Sequence, residues 1–134
     1  MIHLQRLDHL VLTVADIEAT CQFYATVLGC EVITFGENRK ALRIGDSAQK
    51  INLHSSEHPF QPAAVHPQLG SADLCFITST PLADVIERMT QLNVPIIEGP
   101  IPRTGTFGPI LSVYIRDLDG NLIEVANSID ANSN

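Results

Sequence analysis

Four polar side chains stand where strand alternation calls for apolar ones: His9 in LDHLVL, Asn52 in INLH, Asp73 in ADLCF and Glu124 in LIEVA. Successive strand residues point to opposite faces, so each of the four is predicted to face inward. A carboxylate taken out of water without a partner is costly. Two such carboxylates and an imidazole, arriving on different strands, call for a common partner, and a divalent cation satisfies all three. Taken singly, each has an ordinary reading: a satisfied structural His, a capping or exposed Asp, a solvent-facing Glu. Their matched placement in the chain is what favours the cation.

The match comes from an internal repeat. Residues 8–12 fall on 72–76, and the same displacement sets 28–32 on 92–96. Each half reads as a strand, a helix and then several short strands. In the first half Asp16 is placed to cap a helix whose apolar stripe is Ile17, Cys21, Tyr24 and Leu28, with Gly29 at its left-handed end. In the second, Thr80 caps and Pro81 takes the first helical position. Leu82, Val85, Ile86, Met89 and Leu92 form the buried stripe, and Asn93, which tolerates positive φ, closes it. Strands are predicted near 31–35, 41–44 and 51–54, then near 96–98, 111–116 and 122–126, with Asp119-Gly120 turning the last hairpin. Residues 58–70 carry Pro59, Pro62 and Pro67 without periodicity and read as a linker that wraps the pocket or a partner subunit. His58 and His66 lie beside these prolines and are not expected to be ligands.

The expected architecture is α+β: one domain over 1–134, with half-modules at about 5–57 and 70–128. Two βαβββ modules would form a curved mixed sheet around a metal pocket. A chain of 134 residues is long enough for a real core, and 45% apolar with 17% charged residues is a globular composition. No apolar run reaches the ~20 residues needed to span a bilayer, and the alternating start lacks a signal-peptide layout, so a cytoplasmic protein is expected. The net charge is −7 and the cations are scattered. Only Arg39, Lys40 and Arg43 approach a cluster, beside a turn, which argues against a nucleic-acid footprint. Cys21, Cys30 and Cys75 form no CxxC motif and are read as reduced, buried thiols.

The stretches LDHLVLTVADIEATCQFYATVLG, GSADLCFIT and VYIRDLDGNLIEVAN resemble the vicinal-oxygen-chelate superfamily: glyoxalase I, fosfomycin and bleomycin resistance proteins, and extradiol dioxygenases. The stretch KINLHSSEHPFQPAAVHPQLGSADLCF is similar to a branch of glyoxalase-domain proteins whose enterobacterial members are described as virulence proteins. The resemblance implies metal ligands at His9, Asp73 and Glu124. It also implies a fourth on the last strand of the first half, where Asn52 stands in place of the usual Glu and His54 shares its face. Asp73 stands where the family more often has His. Such a set suits Mn, Mg, Ni, Co or Fe(II), with Zn also compatible.

By the same resemblance the chain would be a homodimeric, lactoylglutathione lyase-like enzyme with glutathione as co-substrate. It would isomerise a small carbonyl adduct through an enediolate held at the metal, with Glu124 as base and Asp73 as a secondary one. The alternatives are a fosfomycin-type resistance enzyme, an extradiol-type dioxygenase and a metal-free small-ligand binding protein. One fold hosts all of these chemistries.

Overall fold

Two short amphipathic helices and eight strands make two compact units, divided between residues 69 and 70, in the computed structural model, which describes residues 1–129. In the first unit the order is β1 (His9–Val14), α1 (Ile17–Leu28), β2 (Glu31–Phe35), β3 (Arg39–Arg43) and β4 (Lys50–Ser55). They form a four-stranded mixed sheet, β1-β4-β3-β2, in which only β1 and β4 run parallel. The second unit repeats this with β5 (Asp73–Ile77), α2 (Leu82–Gln91), β6 (Glu98–Gly105), β7 (Gly108–Arg116) and β8 (Leu122–Ser128), in the sheet order β5-β8-β7-β6. This is the α+β arrangement that the repeat predicts.

Alternation assigns each sheet one face to its helix. Leu12, Val14, Leu42, Ile51 and Leu53 are buried on one side of the first sheet, with Cys21 and Tyr24 of α1. Leu82, Val85 and Met89 of α2 are buried with Val113, Ile115, Ile123 and Val125 of the second. Each fully buried aliphatic side chain contributes roughly 1.5–3 kcal/mol. Asp16 caps α1 as expected, its Oδ1 accepting the Ala19 N–H at 3.0 Å, and Gly29 ends it at φ 67°.

The start of α2 departs from expectation. Pro81 is the N-cap itself, one residue before the first helical position, and no side chain of its own segment caps the helix. The cap comes instead from β8. Asn127 lies on the helix-facing side of its strand, in register with Leu111, and its Oδ1 accepts the Leu82 N–H at 2.8 Å. Its Nδ2 donates to the carbonyls of Thr78 and Thr80 at 2.9 and 2.8 Å. Asn93 does take positive φ, 56°.

The strand expected at 96–98 is in fact the eight-residue β6, which turns tightly into β7 through residues 105–108. Two prolines and two glycines in EGPIPRTG hid most of it, because such residues read as loop. Its register shifts between Glu98 and Ile101, and there Gly99, at φ 105°, passes so close to the Ser112 carbonyl that a side chain has no room. Among the described residues no helix is long and apolar enough to cross a membrane.

Because Asn127 makes three bonds and Thr80 offers only a backbone acceptor, Asn127→Ala should cost about 2 kcal/mol of stability. Thr80→Ala should change little. Urea unfolding midpoints of the two variants decide it, and the reverse ranking would show that the cap lies in the α2 segment after all.

Candidate metal centre

The sheet registers place the polar residues in equivalent slots. On β1 and β4, His9 is opposite Lys50, and Asn52 stands one side-chain repeat further along. On β5 and β8, Asp73 is opposite Leu122, and Glu124 stands one repeat further along. Each unit thus brings together a first-strand and a last-strand donor on the face away from its helix. Among the described residues no three His, Cys, Asp or Glu side chains come together as a metal site.

The expectation that all four are buried needs correction. Asn52 is buried, at 5% exposure, and Glu124 is half-buried, but His9 and Asp73 are exposed. Alternation put the members of each pair on one face of their sheet, but that face is the one away from the helix and not an apolar interior. The helix fills the other face of each sheet, so this one is not a second apolar core. The thiols also differ from expectation: Cys21 is buried, Cys30 half-buried and Cys75 exposed. Cys75 shares the helix-free face of β5 with Asp73 and is in register with Glu124.

His9 Nδ1 lies 2.8 Å from Asp8 Oδ2. A carboxylate accepts there, so Nδ1 carries the proton and Nε2 presents a lone pair. A carboxylate that orients an imidazole in this way is the usual support of a metal-bound His. The same hydrogen bond, with the charges of Arg6 and Lys50, holds the Asp8 carboxyl below its ordinary range. Asn52 Oδ1 is buried and has no hydrogen-bond partner among the described residues. A buried carbonyl oxygen left alone is costly, and a bound cation would satisfy it.

His54 is differently placed. Its Nε2 faces Arg39 Nη2 at 3.4 Å, and its ring lies 5.4 Å from that of Phe60. Guanidinium nitrogens only donate, so Nε2 is the acceptor there. Burial first, and then the Arg39 charge, push the His54 pKa down.

In the second unit Ser112 donates its hydroxyl to Glu124 Oε2 at 2.5 Å, fixing one carboxylate oxygen. Asp73, Glu98, Arg103, Tyr114, Arg116 and Glu124 line a cleft of about 330 Å³. Arg103 Nε donates to the Tyr114 hydroxyl at 2.9 Å, and its Nη2 lies 3.7 Å from Glu98. Although the residue is exposed overall, partial burial of its sulfur, and then the neighbouring Glu124 carboxylate, push the Cys75 thiol up to about 11. Sequence reasoning missed Asp8, Ser112, Arg103 and Tyr114. Alternation from Glu124 across the last hairpin would have placed Ser112 and Tyr114 on its face, and Asp8 adjoins His9 in sequence. Nothing local marks Arg103, which lies beyond the 96–98 span expected for its strand.

A family model described as the Glyoxalase/Bleomycin resistance protein/Dioxygenase superfamily matches residues 6–125, and the chain belongs to that superfamily. It is 56% identical over 126 residues to the virulence protein STM3117 of Salmonella typhimurium, covering 94% of this chain and 86% of that one. The crystal structure of that protein superposes with a TM-score of 0.91 at 55% identity, covering 96% of this chain and all of the other. A glyoxalase domain-containing protein of Mycosarcoma maydis, RDO1, is 49% identical over 125 residues, which are 93% of this chain and 69% of that protein. The lactoylglutathione lyase of Agrobacterium tumefaciens shares the fold, with a TM-score of 0.71 at 22% identity over 94% of this chain and 96% of the other.

Burial alone pushes the Cys30 thiol up to about 11. At pH 8 its thiolate fraction is then more than ~100-fold below that of a free Cys with pKa ≈ 8.5. Iodoacetamide at pH 8 should label Cys30 only after denaturation, as read by peptide mass spectrometry. Rapid labelling of the folded protein would contradict this burial.

Proposed function

We propose that the chain is a metal-dependent enzyme of glyoxalase type, acting on a small substrate held through two neighbouring oxygens. The observation that carries the reading is the equivalent register of His9 with Asn52 and of Asp73 with Glu124. His9 Nε2, Asn52 Oδ1 and the carboxylates of Asp73 and Glu124 are the donors that would hold the ion. One nitrogen with oxygens suits Ni, Mn, Co, Fe(II) or Zn. The orphaned Asn52 oxygen supports Asn52 over His54 as the fourth donor, since His54 Nε2 already faces Arg39. The bound ion would supply Lewis-acid stabilisation of charge on the substrate oxygens.

The chain's own residues would do the rest. Asp8 fixes the tautomer of His9. Ser112 holds one oxygen of Glu124, and the other, once released from the ion, would take a proton from one substrate carbon and return it to its neighbour. The likeness to RDO1 supports a glyoxalase-type substrate, with a hemithioacetal of glutathione as the first to test.

Elemental analysis of protein purified without chelator should find divalent metal that His9→Ala and Glu124→Gln lose. Asp8→Asn should weaken metal binding by about 10-fold or more. Unchanged metal content in both His9→Ala and Glu124→Gln would refute the metal centre. Turnover of methylglyoxal with glutathione should require added Ni, Mn, Co or Zn. No turnover with any of them, alongside normal metal binding, would reject the substrate and leave the centre standing.

A homodimer forms part of the same proposal. Val11 and Ile77 stand on the helix-free strand faces at 43% and 57% exposure, apolar surface that a second copy would cover. Light scattering at micromolar concentration should give twice the chain mass, and a monomer would overturn it.

A further inference from the structure

The helix-free face of the first sheet carries a group of cations that the candidate metal centre does not use. Lys50, Asn52 and His54 follow one another on that face of β4, with Arg39, Ala41 and Arg43 beside them on β3 and Phe35 beyond on β2. Two of these cations converge on one ring. Lys50 Nζ lies 3.7 Å and Arg39 Cζ 4.7 Å from the centroid of Phe35. Arg39 Cζ is also 4.5 Å from the centroid of Phe60, which arrives from the segment after β4.

The neighbouring Arg43 is compensated by Glu31 at 3.0 Å. Among the described residues, neither Arg39 nor Lys50 has a carboxylate within 4.0 Å. That is unexpected in a chain with 15 acidic and 8 basic residues. Two like charges brought to one ring repel each other, and the weak contact from Arg39 to His54 Nε2 leaves most of five guanidinium donors unused. Contact with two rings restrains the Arg39 side chain in advance, so less rotamer freedom is lost when it engages a ligand.

We infer that Arg39 and Lys50 form an oxyanion subsite for the small-molecule substrate, so that the substrate carries a carboxylate or a phosphorus oxyanion. This rests on the proposed catalytic reading for the rest of the substrate. Lys50 is in register with His9 and two residues from Asn52, so the subsite adjoins the metal-donor pair of its own sheet. An anionic group there neutralises the two cations and accepts the free N–H donors, while the unpartnered Asn52 oxygen remains for the cation. The planar guanidinium suits two oxygens of one group, and the ammonium adds a point charge.

The test uses the full chain stripped of metal, so that it does not depend on the metal centre. Inorganic phosphate, methylphosphonate and acetate are titrated separately at low ionic strength, with chloride as reference, and binding is read by calorimetry and amide chemical shifts. Saturable binding of at least one oxyanion is expected. Acetate alone identifies a carboxylate substrate, and the phosphorus compounds alone identify a phosphate or phosphonate. Arg39→Gln and Lys50→Gln should each weaken binding by about 10-fold or more. Arg39→Lys should retain part of it, and Arg88→Gln on α2 should leave it unchanged. If Arg39→Gln does not fold, Lys50→Gln decides. No saturable binding, undiminished binding in the folded variants, or an equal loss in Arg88→Gln would overturn the subsite. Loss of metal binding with oxyanion binding intact would instead count against the catalytic reading alone.

Discussion

The two-residue period of the strand, locked by register, is the constraint on which this protein depends. Each sheet has four strands and one helix, so only one face of each can be filled with aliphatic side chains. A slip of one residue in any strand would send that strand's apolar set to the wrong face. The parallel pairing of β1 with β4, and of β5 with β8, therefore fixes two things at once. It seats Leu12, Val14, Ile51 and Leu53 against α1, and it sets His9 and Asn52 side by side on the other face. Core and candidate site cannot vary independently, because both are read off the same alternation.

Supporting contacts refine what alternation only positions. The Asp8 carboxylate turns His9 so that one ring nitrogen is spent and the other is offered. Ser112 does the same for one oxygen of Glu124. Asn52 is the opposite case, a buried oxygen with no partner among the described residues. Leaving such a group unsatisfied costs ~1–3 kcal/mol, a large part of the margin by which small domains stay folded. A ligand that satisfies it recovers that cost on binding.

Alternation and the repeat made much of the fold legible in the sequence. The apolar stripe from Ile17 to Leu28, closed by Gly29, fixed α1. The equivalence of His9 with Asp73 followed from setting one half on the other. Hidden were the features that depend on distant residues. The Asn127 cap of α2 reaches from β8, 45 positions away in sequence, and a local reading chose Thr80 instead. The strand β6 was masked by its own prolines and glycine. Burial was misjudged at His9 and Asp73 because period two assigns a side chain to a face without saying what covers that face. Arg39 was noticed as one of three nearby cations and set aside. Only register and ring contacts separate it from Lys40, which turns the other way and donates to Thr34 Oγ1 at 2.8 Å.

The two halves share a topology but divide the charge between them. Apart from the Glu31–Arg43 pair, the helix-free face of the first sheet carries the neutral donors His9 and Asn52 beside Arg39 and Lys50. The corresponding face of the second carries Asp73, Glu98 and Glu124 together with Arg103 and Arg116, Arg103 lying 3.7 Å from Glu98. Replacing a carboxylate by an amide at position 52 is costly for a symmetric metal site, since it removes charge that would hold the cation. It is favourable beside Arg39 and Lys50 if those cations are to remain available, because a carboxylate at position 52 would compete with an incoming anion for them. With the Glu31–Arg43 and Glu98–Arg103 pairs set aside, the divergence of the repeat leaves the first face cationic and the second net negative.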